Sequence, residues 1–241
     1  MERTEYIGYI IGAFKKNGLG HLIDDDKANK FYDLSELLVE TNKITNLTAI
    51  TEQKAVILKH FVDCATVCDS LEKGCKLLDV GCGAGFPSLP VAILRDDVSV
   101  SSIDSTGKKI AFVNRAAEAL GLNNITAECC RAEDFVRTHR ESFDACTSRA
   151  VARLNILSEL CLPFVKIGGR FIAMKSERGS EEYAEAEKGI LKLGGEFVKK
   201  IDVSLSLEHE TVNRELYVVK KTKNTPIAYP RNYSQIVKKP L

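Results

Sequence analysis

Residues 76–90 read KLLDVGCGAGFPSLP. An apolar run ends in Asp79, Gly81, Gly83 and Gly85 alternate after it, and Phe86, Pro87 and Pro90 follow. Glycine loops after strands hold cofactors, because glycine reaches positive φ and lets a ligand come close to the backbone. A dinucleotide fingerprint wants a third glycine where Phe86 stands, to let the next helix pack tightly on the sheet. A bulky ring does not replace it. A phosphate-binding P-loop wants a Lys followed by Ser or Thr, and none follows. What remains is an acid two residues ahead of three alternating glycines. A second acid, Asp104, ends the next predicted strand. A carboxylate there accepts hydrogen bonds from both hydroxyls of a ribose, or caps the helix that follows it. A third element is RAEDF at 131–135. The backbone N–H groups of Ala132 and Glu133 suit an adenine edge, although the same residues make an ordinary helix start.

These residues need a frame. From Cys75 onward, short apolar runs alternate with helical segments. Strands are predicted at 76–80, 98–103, 125–129, 143–147 and 170–174, with helices from Pro87, Ser105, Ala132, Val151 and Ser180. That alternation implies βαβ units, hence an α/β doubly wound, mostly parallel sheet with its ligand site beyond the carboxyl ends of the strands. EFVKKIDVSL and TVNRELYVVKK read as a closing antiparallel hairpin. The first 70 residues read as helical: Tyr6, Ile10 and Phe14, then Phe31, Leu34 and Leu38, then a third pattern from Thr51 through Phe61 and Val62, after a polar loop at 42–50. The expected organisation is a helical extension over 1–72, an α/β core over 73–222 and a basic tail over 223–241.

The chain has 241 residues, 44% hydrophobic and 28% charged, a globular balance with no apolar run long enough to cross a membrane. The N-terminal stretch lacks the pattern of an export signal. Eight cysteines form no C-x-x-C pair and the four histidines show no ligand spacing. We expect no metal, reduced thiols and a cytoplasmic protein. A net charge of +1 hides an acidic N-terminal third and a basic C-terminal end. That end suits a polyanion such as RNA, or is simply a solvated tail.

The two acids, the glycine loop and the strand order resemble the class I S-adenosylmethionine-dependent methyltransferases, a Rossmann-like fold with a seven-stranded sheet. GAGFPSLPVAI, IDSTGKKIAFVN, RAEDF, FDACTSRAVARL and FIAMKS, with NLTAI near the start and AYPR and KKPL near the end, are similar to the bacterial small-subunit (16S) ribosomal RNA guanine-N7 methyltransferase family, also called glucose-inhibited division protein B. The resemblance covers nearly all of residues 30–241. It implies S-adenosylmethionine as cofactor and small-subunit ribosomal RNA, or the 30S particle, as partner of a monomer. It assigns Gly81, Phe86, Asp104, Ala132, Glu133 and Arg149 to the cofactor, and the loop pattern itself adds Asp79, Gly83 and Gly85 as cofactor-binding candidates. Arg149 and Lys175 become positioning residues at the active-site mouth. Lys175, Arg231, Lys238 and Lys239 become candidate phosphate contacts. Three departures stand out: Ser88 and Ser176 where the family has glycine, and a divergent tail, YPRNYSQIVKKPL.

Guanine N7 carries a free lone pair, so no general base is expected. A rival reading, cytosine-C5 methylation, needs a cysteine nucleophile. Cys146 is in a predicted strand but lacks the Pro-Cys turn that would project it. Two further rivals are a methyltransferase of a small molecule and a catalytically silent RNA-binding protein. His60 and Asp63 share a helix face and either reach the cleft or join the extension to the core. The alternative reading of Arg149 is a structural ion-pair partner. Two finer expectations concern the loop. Its N–H groups should meet the methionine end of the cofactor. The Phe86 carbonyl, denied a donor by Pro90, should be free on the cofactor side.

Overall fold

The computed structural model describes residues 1–176 and 179–241. The extension opens with α1 (Arg3–Lys16) and α2 (Asp25–Asn42), which bury Tyr6, Ile10 and Phe14 against Phe31, Leu34 and Leu38. The Asp24 side chain caps α2 by accepting the Lys27 N–H. The third helical stretch starts after Glu52, whose carboxylate accepts the N–H groups of Lys54 and Ala55. It runs as α3 (Gln53–Val56), a π-helical Ile57–Val62 and α4 (Asp63–Ala65). A π turn re-aims the side chains it carries, and such turns gather at functional sites. Here it carries His60 and leads into Asp63, both buried.

The sheet comprises β1 (Lys76–Val80), β2 (Ser99–Asp104), β3 (Ile125–Cys129), β4 (Phe143–Arg149), β5 (Val165–Lys175), β6 (Gly195–Leu207) and β7 (Glu210–Lys221). Its order is β3-β2-β1-β4-β5-β7-β6, parallel except where β7 pairs with β5 and β6. Between the strands run α5 (Ser88–Leu94), α6 (Gly107–Ala119), α7 (Ala132–His139), α8 (Leu154–Cys161) and α9 (Gly179–Lys192). Side chains alternate across β1: Leu77 packs with the extension, α5 and α6, and Leu78 with α7, α8 and α9. The extension therefore shares one core with a face of the sheet. Strand order reverses between β1 and β4, which places a crevice at their carboxyl ends.

Two element starts differ from expectation by three residues or more. β5 begins at Val165 rather than at residue 170. The pair Gly168-Gly169 looks like a break in sequence. In space, a Cβ on Gly169 would lie 2.5 Å from the Asp144 carbonyl, so the glycine marks a close approach to β4. α8 begins at Leu154 rather than at Val151. Ala150 sits at φ 56°, and a Cβ on Gly81 would come within 2.5 Å of Val151 Cγ2. Residues 150–153 form a loop that folds back over the glycine loop.

Candidate active site

A cavity of about 640 Å³ opens at the ends of β1, β2 and β4 and reaches the starts of α6 and α7. That size accommodates a nucleoside cofactor together with part of a substrate. Gly81, Gly83 and Phe86 line it, as do Asp104, Ala132, Glu133 and Arg149. Gly81, Gly83 and Gly85 all take positive φ, of 73°, 58° and 86°. A Cβ on Gly83 would meet nothing, whereas one on Gly85 would strike Leu89 at 2.5 Å. Gly83 thus leaves room beside the cavity, while Gly85 lets α5 pack.

The loop's amides are not where the sequence reading put them. Gly81 and Cys82 donate to the Ile103 carbonyl, Gly83 to Asp104 Oδ2, and Gly85 and Phe86 to the Cys82 carbonyl. These five amides are held by protein, three of them by Ile103 and Asp104 on β2, so the loop offers shape more than donors. Asp104 accepts Gly83 N at 3.0 Å on one oxygen and Thr106 N at 2.8 Å on the other. It therefore caps the turn before α6 and also lines the cavity, with lone pairs left on both oxygens. Ala132 and Glu133 open α7, so their N–H groups have no partner inside the helix.

Asp79 is fully buried and does not line the cavity. Its Oδ2 accepts Ser88 N at 3.1 Å, while Oδ1 and the hydroxyls of Ser88 and Ser102 are buried without a hydrogen-bond partner. Burial pushes this carboxyl up to about 7. Asp79 thus braces the loop from behind by holding the start of α5, and direct cofactor contact by its side chain is corrected to that role.

Arg149 ends β4, and four of its N–H groups are held by protein. Nε donates to the Phe86 carbonyl at 3.4 Å, Nη1 to the Lys59 carbonyl at 3.0 Å and Asp63 Oδ2 at 3.0 Å, and Nη2 to His60 Nδ1 at 3.1 Å. The Phe86 carbonyl is therefore not free, contrary to the expectation from Pro90; the arginine supplies the donor that the proline lacks. Asp63 also accepts Arg214 Nε from β7 at 3.1 Å. The His60 ring stacks on Phe86, centroids 4.4 Å apart. Burial, with the Arg149 charge second, pushes the imidazole down to about 3, so it is neutral. The two readings of Arg149 and of His60 turn out compatible: the ion-pair knot joins extension, core and hairpin, and its His60 and Arg149 line the cavity while Asp63 lies buried behind them.

The expected phosphate contacts divide. Lys175 does not line the cavity; its Nζ donates to the Ala152 carbonyl at 2.8 Å and pairs with Glu182 at 2.7 Å. Glu182 also accepts Leu154 N, so Lys175 anchors the turn before α8. Arg231 grips the buried Glu159 through Nε at 2.9 Å and Nη2 at 2.6 Å. Both cations are corrected to structural roles. Lys238 and Lys239 are exposed, at the end of α10 (Tyr233–Lys238). Among the described residues no group of three metal-ligating side chains comes together, and no helix is long and apolar enough to cross a membrane.

The model of the family described as rRNA small subunit methyltransferase G matches residues 27–212. The chain belongs to that family. A relative from Clostridium perfringens, ribosomal RNA small subunit methyltransferase G, is 43% identical over 93% of this chain and 95% of its own length. Its counterpart in Listeria monocytogenes is 44% identical over 87% and 89%. Among solved structures, M. jannaschii TYW2 in complex with AdoMet matches with a TM-score of 0.53 at 13% identity, covering 66% of this chain and 74% of that one. The cyclase SpnF matches with a TM-score of 0.53 at 18% identity, covering 67% and 82%. These two likenesses speak for the fold alone.

Against the family pattern, Ser88 keeps the N–H that matters, since its amide reaches Asp79. The divergent tail folds onto the core through buried Ile236 and brings Tyr233 to the cavity mouth. Sequence reasoning missed Thr48, Lys109, Cys130, Arg131 and Tyr233 as lining residues. Lys109 was legible, because it follows Asp104 by little more than a helical turn. Cys146 is buried in the sheet and its thiol is pushed well up by burial, so it offers no nucleophile. Burial also raises the thiol of Cys130, which keeps it protonated.

Proposed function

We propose that the chain transfers a methyl group from S-adenosylmethionine to N7 of a guanine in small-subunit (16S) ribosomal RNA, in the cytoplasm. Family membership over most of the chain carries this reading, and the shape and chemistry of the cavity support it. S-adenosylmethionine supplies an electrophilic methyl group on a sulfonium. The cavity fits that cofactor: the two Asp104 oxygens suit its ribose, the free N–H groups of Ala132 and Glu133 suit its adenine edge, and Gly81, Gly83 and Phe86 enclose the amino-acid end. Asp79 and Gly85 serve it indirectly, by holding the loop.

Guanine N7 attacks with its own lone pair, so the chain has no proton to remove. Its task is to hold the base in line with the methyl group and to exclude water, which supplies at most about 7–11 kcal/mol. Arg149 acts as a positioning residue: it fixes Phe86 through the carbonyl and His60 through the ring. Asp63 offsets part of the charge that Arg149 and Arg214 bring, and His60 is uncharged, so the knot puts less positive charge beside the sulfonium than its two guanidiniums alone would. For the RNA backbone, Lys109 and Arg131 at the cavity rim, with Lys238 and Lys239 on the tail, are the proposed phosphate contacts. The test is transfer from labelled methyl donor to small-subunit RNA and to the assembled particle, followed by nucleoside analysis. Label in N7-methylguanosine is expected. Label only in a methylated cytidine, or no transfer to either substrate, refutes the proposal.

A further inference from the structure

Thr48 lies in the loop between α2 and α3 and lines the cavity beside His60. Its backbone is fixed: the amide donates to Asn42 Oδ1 at 3.0 Å and the carbonyl accepts Asn42 Nδ2 at 3.0 Å. The chemistry of its hydroxyl follows from Arg149. A guanidinium only donates hydrogen bonds. His60 Nδ1, 3.1 Å from Arg149 Nη2, must therefore present its lone pair. A neutral imidazole with Nδ1 bare carries its proton on Nε2. Nε2 is 3.1 Å from Thr48 Oγ1, so the hydroxyl oxygen accepts there. It accepts again from Ile50 N at 3.0 Å. Both lone pairs of Thr48 Oγ1 are then engaged, and its proton is left over. Among the described residues no acceptor takes that proton, and the cavity borders it.

We propose that Thr48 is a specificity-determining residue whose hydroxyl donates a hydrogen bond to O6 of the target guanine. The proposal rests on guanine N7 being the methyl acceptor. The Hoogsteen edge of guanine presents two acceptors, N7 and O6, whereas adenine presents N7 beside an amino donor. A fixed donor next to the reacting nitrogen accepts the first edge and opposes the second. The relay Arg149–His60–Thr48 sets the direction: a histidine of the other tautomer would turn Thr48 into a donor toward the ring and leave the cavity side an acceptor. The arginine at the end of β4 thereby determines the polarity of a group on the extension.

The experiment compares wild type, Thr48→Ser and Thr48→Val on small-subunit RNA carrying either guanine or diaminopurine at the modified position, located first with wild type. Diaminopurine keeps N7 and replaces O6 with an amino group. Wild type and Thr48→Ser are expected to prefer guanine by about tenfold or more in kcat/KM. Thr48→Val is expected to lose most of that preference, with the cofactor Kd within about twofold of wild type. The ratio of rates on the two RNAs does not depend on how much of a variant is folded. A Thr48→Val enzyme that keeps the wild-type preference overturns the proposal, as does one whose cofactor affinity falls in step with transfer. Absence of N7-methylguanosine from the wild-type reaction overturns the guanine reading and this proposal together. An active wild type with an unaffected valine variant overturns this proposal alone.

Discussion

The cavity has two walls built in different ways. One consists of the glycine loop, Asp104 and the start of α7, which are ends of neighbouring strands and the turns after them. Its contacts are made mostly by backbone, and each piece is a short contiguous motif. The other joins Thr48, His60 and Arg149, with Asp63 and Arg214 behind. Its partners meet across 86 residues for Arg149 with Asp63 and 151 for Arg214 with Asp63, and every one of its contacts is made by at least one side chain. The first wall follows from the topology of the sheet. The second exists only because the extension packs on the same core, so it couples acceptor positioning to the docking of helices that lie outside the sheet and its crossovers.

Breaking the second wall has the largest effect. Arg149→Ala leaves Asp63, with a side chain only 3% exposed, facing Arg214 alone, and removes the donors to Phe86, Lys59 and His60. Urea unfolding is expected to show a loss of about 3 kcal/mol or more, and methyl transfer is expected to fall to background. Behind the first wall, the Asp79 carboxyl is raised by burial from its usual 3.8 to about 7, so the native state holds a proton that the unfolded chain has released. This contribution to stability is full below the unfolded value and is lost as pH rises through about 7. Asp79→Asn does not titrate and can still accept from Ser88 N. Its stability relative to wild type is expected to rise by ~1–3 kcal/mol between pH ~4 and pH ~7 and then level off. A constant difference across that range would show that Asp79 ionises normally.

Asp104→Ala removes the acceptors proposed for the ribose. Calorimetry is expected to show at least about tenfold weaker cofactor binding, about 1.4 kcal/mol. The smallest effect belongs to the rim. Lys109→Ala is expected to reduce the salt slope of RNA binding by about 0.9, whereas Lys175→Ala leaves the slope unchanged because Glu182 already holds that charge. Equal slopes for both variants would remove Lys109 from the interface.

The difference between the walls also explains what could be read in advance. The succession of strands and helices, the hairpin and the acid at Asp104 are legible, because glycine spacing and short apolar runs are local signals. Lys175 and Arg231 are misread for the opposite reason: a lysine at a strand end and an arginine in a basic tail look free until Glu182 and Glu159 are folded against them. Thr48 sits in a polar loop whose sequence gives no sign of a cavity. The Phe86 carbonyl is misread because the missing proline N–H is visible locally and the arginine that replaces it is not.

The division between the walls is tested most directly by titrating S-adenosylmethionine into Asp104→Ala and Thr48→Val side by side with wild type. Cofactor affinity is expected to fall by at least about tenfold in the first and to stay within about twofold of wild type in the second. A parallel loss in both variants would contradict the division and make the cavity a single cofactor site.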